Sequence, residues 1–216
     1  MNASATARNL VAPVLRRAYR VRVQGVHLCP RRGPLLVVAP HLGFLDSTVI
    51  ATCLPRPVDV LVGPGALTTV GARVPGRIVV DADDPGPALR EACERMEQGA
   101  AVGAWTGEGL TAAGYLAVRT GAAILPVAVF GGAGRHPGDP PPLRSAVDIY
   151  VGEPFSLPVA GDSEHLDPRA RSTVLRAAEL IRQHVADHAR AAGVRAGRSD
   201  GVALTPRGGA PDNGAL

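Results

Sequence analysis

Short apolar runs alternate with helix-spaced segments along most of this 216-residue chain. That alternation constrains the fold more than any other feature. The stretches RVRVQGV, PLLVVAP, VDVLVG, RIVVDA, AVGAW, AILPVAVFG and VDIYVGEP read as strands. Between them, DSTVIATCL, GPALREACERMEQGA and TAAGYLAVRTG carry apolar residues at helical spacing. Strands separated by helices require crossover connections, so the pattern predicts an α/β domain with a mostly parallel, mixed sheet flanked by helices. The loop GGAGRHPGDPPPLRSA leads into the last strand. A final helix is expected from about Pro168 to Ala191, with Val174, Leu175, Ala178, Leu180, Ile181 and Val185 at helical spacing.

The remaining chain fits around that unit. Residues 6–20 pattern as a helix with Leu10, Val11, Val14, Leu15 and Ala18 on one side and Arg8, Arg16, Arg17 and Arg20 largely on the other, Pro13 weakening its middle. It is either a helix packed on the domain with a solvated Arg face or an interfacial membrane anchor. Residues 193–216 lack periodicity and are rich in Gly, Ala, Pro and Arg, the composition of a disordered tail. The expected organisation is therefore a basic amphipathic segment over 1–20, a single domain over 21–192 and a tail over 193–216.

Composition removes several function classes. With 46% hydrophobic residues the domain can bury one sizeable core without disulfides or metals. Cys29, Cys53 and Cys93 stand singly, without a CxxC pair, which predicts reduced, buried thiols in an intracellular chain. No apolar run reaches the length of a membrane span, and the first twenty residues lack the layout of a secretory signal. The net charge is +4, and all 23 basic residues are Arg, which suits an anionic partner such as a membrane surface, a phosphate-bearing substrate or an acidic carrier protein. Aromatics make up only 3%, so the stacking platforms of a nucleic-acid binder are nearly absent.

In open α/β sheets chemistry gathers at the carboxyl ends of the strands. One such end, in VVAPHLGFLDSTVIA, places His41 just past the LLVV strand and Asp46 at the start of the next helix. The turn containing Gly43 can fold the carboxylate back towards the imidazole. A carboxylate on one ring nitrogen fixes the tautomer and stabilises the imidazolium formed when the other nitrogen takes a proton. With no Ser or Cys joined to it, such a pair activates a hydroxyl that arrives with the substrate. The alternative is an ordinary helix cap beside an ordinary loop histidine.

HLGFLD matches the HxxxxD motif of the glycerolipid acyltransferases, the PlsC-type or 1-acylglycerol-3-phosphate acyltransferase family, and further blocks resemble that family in its order. RVRVQGVHLCPRRGPLLVVAPH is similar to its lead-in, GRIVVDADD to its second block, AWTGEGLT to its third, GAAILPVAVFG to its fourth and VDIYVGEPFSL to its closing strand. The resemblance spans residues 15–185. It implies a glycerol-3-phosphate acyltransferase-like fold and transfer of a fatty acyl group from an acyl-CoA or acyl carrier protein thioester to a lipid hydroxyl. His41 would be the general base and Asp46 its orienting partner. No metal or cofactor beyond the thioester co-substrate is implied, and the expected location is peripheral, at the cytoplasmic inner face of the cell membrane.

The resemblance also implies substrate-binding places for Gly43, Glu108 and Gly109. It is incomplete at two positions: Ala82 and Thr111 stand where the family has the arginines that grip the acceptor phosphate. Neither replaces a guanidinium fork. Three readings follow. Arg73 or Arg77 takes over the grip, backbone amides at residues 107–111 hold an anion at a helix start, or the acceptor carries no phosphate. A catalytically silent lipid-binding protein and a thioester hydrolase are the rival functions. Glu108 also suits a helix start through its charge alone.

Other motifs point less far. His184 and His188 lie one turn apart but lack a third metal ligand and suit a solvated helix face. GGAGRHPG resembles a dinucleotide loop, yet the following DPPPL cannot form the helix that would receive a pyrophosphate. VGPGALTTVG lacks the Lys and spacing of a P-loop and is expected to shape a groove wall. Trp105 is expected in the core or along an acyl channel.

Overall fold

A computed structural model describes residues 3–40, 43–63, 76–107, 109–136, 139–157 and 171–197, with side chains from residue 9 onward. His41, Glu108, Arg73, the stretch 64–75 and the tail from 198 lie outside the described residues.

Seven strands form one sheet: β1 (Arg20–Gln24), β2 (Leu35–Ala39), β3 (Val58–Val62), β4 (Arg77–Val79), β5 (Ala101–Trp105), β6 (Ala123–Phe130) and β7 (Ala146–Val151). Their order across the sheet is β1-β7-β6-β2-β5-β3-β4. β2 is thus the central strand. β4, β3, β5, β2 and β6 run parallel, β7 is antiparallel to β6, and β1 is parallel to β7. The described residues between β6 and β7 contain no helix to carry the chain back across the sheet, and β7 returns alongside β6 in the opposite direction. The expected mixed, mostly parallel α/β sheet is what forms.

Five helices cover the sheet: α1 (Ala3–Ala18), α2 (Asp46–Cys53), α3 (Gly86–Glu97), α4 (Leu110–Thr120) and α5 (Arg171–Arg195). Strand side chains alternate between the two faces, as a pleated strand requires. Leu35, Val37 and Ala39 join Leu15, Tyr19, Val49 and Ile50 in the layer under α1 and α2. Leu36 and Val38 join Ala92, Met96, Leu116, Ile181 and Val185 under α3, α4 and α5. Because β2, β3 and β5 are covered on both sides, they are continuous apolar runs broken only by Asp59.

Two helices differ from the sequence reading. α5 continues to Arg195, past the expected end at Ala191, because Ala189 and Ala192 still pack on Phe130 and Tyr150 of β6 and β7. The apolar side of α1 is divided: Leu15 is buried and Val11 and Ala18 pack on the core, whereas Leu10 (68% exposed) and Val14 (65%) face outward. The apolar arc of this helix is wider than the core it covers.

Candidate active site

At the carboxyl edge of the sheet, β2 ends at Ala39, whose carbonyl accepts the Thr106 N–H at 3.1 Å. This bond ties the loop after β5 to the segment that carries His41. From Gly43 the chain turns sharply into α2: the Asp46 N–H donates to Gly43 O at 3.3 Å and the Val49 N–H to Leu45 O at 2.9 Å. Leu45 occupies the capping position of α2, so Asp46 is the first helical residue and not the cap anticipated from sequence. Its carboxylate turns back instead. Oδ2 accepts the Gly43 N–H at 2.7 Å, and the residue is only 1% exposed.

A carboxylate buried this deeply costs several kcal/mol unless it is hydrogen-bonded or paired. Here the tight turn supplies the Gly43 amide. The neighbours are largely apolar: Leu45 and Val49 are buried, and Phe44 packs on the core. The chain therefore fixes a carboxylate at the mouth of its central strand, five positions after the histidine.

The loop following β6 completes the surroundings. Gly132 O accepts the Leu45 N–H at 3.0 Å, and the backbone of Gly132 and Ala133 lies against Gly43. Sequence reasoning missed this contact. The only signal was the Gly131-Gly132 pair in the stretch that resembles a dinucleotide loop.

The other predicted residues are distributed as follows. Gly43 lies in the turn, with its N–H engaged by Asp46. Gly109 caps α4 and sits against the Trp105 backbone; Thr111 is exposed in the first turn of α4. Trp105 closes β5, packs on the core and donates its Nε1–H to Leu61 O at 3.2 Å. Arg77 opens edge strand β4, level with Val60 and two residues before the strand ends. Three strand spacings separate it from β2, about 14 Å across the sheet. The structure thus gathers Gly43 and Asp46 at β2 and Gly109 and Thr111 beyond β5, with Arg77 apart.

Among the described residues no group of three or more His, Cys, Asp or Glu side chains is placed to hold a metal ion. The His184 ring stacks on Phe155 with centroids 4.3 Å apart. His188 does not lie on a solvated face as expected; it is half-buried, with Nε2 3.0 Å from Tyr150 O. Asp59 and Arg95 pair at 2.9 Å near the amino end of β3, and Arg56 donates to Gly33 O at 2.8 Å and to Gly99 O. Both contacts brace the edge of the sheet opposite the candidate site.

No protein-family model matches the chain, and no curated protein matches it by sequence. Among solved structures, the 1-acyl-sn-glycerophosphate (LPA) acyltransferase PlsC from Thermotoga maritima is similar, with a TM-score of 0.57 and 19% identity, over 85% of this chain and 78% of that one. The single α/β domain described here accordingly shares the fold of a PlsC acyltransferase.

Proposed function

We propose that this chain is an acyltransferase that moves a fatty acyl group from an acyl-CoA or acyl carrier protein thioester to a lipid hydroxyl. The observation that carries the proposal is Asp46: a buried carboxylate folded back from its helix onto the Gly43 amide, at the carboxyl end of the central strand. The HxxxxD pattern and the shared fold agree with it.

In this reading His41 takes the proton from the acceptor hydroxyl as its oxygen attacks the thioester carbonyl. The tetrahedral intermediate collapses with cleavage of the C–S bond, and the departing thiolate receives the proton from the imidazolium. Ester and free thiol result. Asp46 orients the ring and stabilises its charged state. Gly43 contributes by fixing Asp46, while Glu108, Gly109 and the start of α4 border the substrate. Because Ala82 and Thr111 replace the phosphate-gripping arginines of the resembling family and Arg77 lies across the sheet, the proposed acceptors include alcohols without phosphate as well as lysophosphatidic acid-like ones.

The proposal extends to a peripheral membrane location on the cytoplasmic side. No helix among the described residues is long and apolar enough to cross a membrane. The exposed Leu10 and Val14 are accompanied by exposed Arg16, Arg17 and Arg20, and Arg144 N–H donates to Ala18 O at 2.6 Å, which pins the loop carrying exposed Leu143 to the end of α1. Apolar side chains rimmed by arginine suit an anionic lipid surface.

The test is product identification by mass spectrometry after incubation with an acyl thioester and a panel of lipid alcohols, phosphorylated and not. An ester product lost in His41→Ala is expected. Thioester cleavage without ester would make the protein a hydrolase, and neither would leave a silent lipid binder.

A further inference from the structure

The Gly131-Gly132 pair has no part in the chemistry above, and its loop cannot serve a dinucleotide. Its position is nevertheless specific. Gly132 faces the Asp46 carboxylate: a methyl group in place of its hydrogen would approach Asp46 Oδ1 far closer than 3.0 Å, a separation that real side-chain carbons essentially never show. The contact is reciprocal. A methyl group on Gly43 would lie 2.5 Å from the Gly132 carbonyl carbon and 2.7 Å from the Ala133 nitrogen. Between these approaches the Leu45 N–H binds Gly132 O at 3.0 Å. Two loops from distant parts of the chain therefore interlock around one carboxylate, with glycine at both points of contact.

We propose that Gly132 is a positioning residue: by lacking a side chain it lets the loop after β6 close on the turn at residues 43–46 and sets where the Asp46 carboxylate sits. The effect on catalysis rests on the acyltransferase reading; the effect on the carboxylate does not. Any side chain at 132 displaces Oδ1 by on the order of 1 Å, a misplacement that typically costs about 100-fold in rate. The loss is expected on kcat, because the Asp46 carboxylate acts on the activated geometry through the imidazole and does not itself hold the substrate.

The experiment follows the Gly43 amide by 1H–15N NMR in the full chain, in wild type, Gly132→Ala and Asp46→Asn. The Gly43 N–H points at Asp46 Oδ2, so its proton resonance reads the carboxylate whether or not transfer is detected. Gly132→Ala is expected to move this resonance upfield, towards its position in Asp46→Asn, with resonances remote from the two loops unchanged. An unmoved Gly43 resonance in folded Gly132→Ala overturns the proposal. If Gly132→Ala does not fold, Asp46→Ser/Gly132→Ala, which vacates the space of Oδ1, is expected to fold; its failure would locate the clash elsewhere and also overturn the proposal. In kinetics, Gly132→Ala is expected to lower kcat about 10- to 100-fold with KM unchanged, and to have no further effect in an Asp46→Asn background. An undiminished kcat beside an Asp46-dependent wild type counts against Gly132 alone, whereas an inactive wild type counts against the acyltransferase reading alone.

Discussion

Asp46 has two requirements that conflict. The proposed reaction asks it to be buried, and so rigid, and to carry a charge that supports an imidazolium. The turn resolves the conflict by offering the Gly43 amide at 2.7 Å, so the carboxylate gives up water for a fixed donor. Asp46→Asn preserves the shape of this contact and removes the charge. We expect the variant to fold normally and to lose about 100- to 10,000-fold in kcat, measured by thiol release in the presence of acceptor. The HxxxxD spacing made Asp46 visible in the sequence, because its proposed role depends on a neighbour five positions away. Gly132 was not legible, because its constraint is a close approach between segments remote in sequence, and no local periodicity encodes it. The alternative of Asp46 as a helix cap does not form for a related reason: Asp at a helix start favours either role, and the tertiary turn decides which.

Among the elements, α4 and α5 pack closely because Gly114 presents no side chain. A methyl group there would lie 2.5 Å from Val174 O and 2.9 Å from Ala178 N. In an exposed helix Gly→Ala stabilises by about 1 kcal/mol through backbone propensity. Here overpacking opposes it, and Gly114→Ala is expected to destabilise by about 1–3 kcal/mol, read as a Tm lower by about 2–4 °C per kcal/mol. A pH effect belongs to α5. Burial holds the His188 imidazole below its ordinary value, the Arg195 charge adds to this, and the Tyr150 carbonyl opposes it. The unfolded chain therefore takes up this proton first as pH falls. Stability from this group is intact above about pH 6.5 and is lost as pH drops from there through the folded-state pKa. Urea midpoints measured at pH 7.5 and 5.5 should fall further for wild type than for His188→Gln; equal losses would remove His188 as the cause. The strands and helices were readable because each keeps one period over its length. The direction of β7 and the pairing of β1 with it were not, since strand polarity depends on what the connecting chain does in space. The end of α5 escaped notice because Ala189 and Ala192 bury a small-residue face with weak apolar contrast.

Across the whole molecule, one edge of the sheet is braced and the other carries the candidate site. Arg56 and the Asp59–Arg95 pair hold the former, while the turns at 43–46 and 131–134 and the start of α4 meet at the latter. The α/β class followed from the strand and helix alternation alone, since few architectures accommodate it. The role of α1 did not, because an apolar arc wider than the core it covers fits both packing and lipid contact. Deleting residues 1–20 also removes Leu15 and Tyr19 from the core, so the cleaner variant is Leu10→Ser/Val14→Ser. It should retain its Tm and lose flotation with vesicles rich in anionic lipid; flotation equal to wild type would assign α1 to packing alone. The central claim is that this fold esterifies an alcohol using the pair at the end of β2. Its most direct test is the ester formed from an acyl thioester and a lipid alcohol panel, quantified for wild type and His41→Ala side by side. An ester made by wild type and reduced at least about 100-fold in the variant is the expected result. Ester formation at the same rate by both proteins would contradict the account.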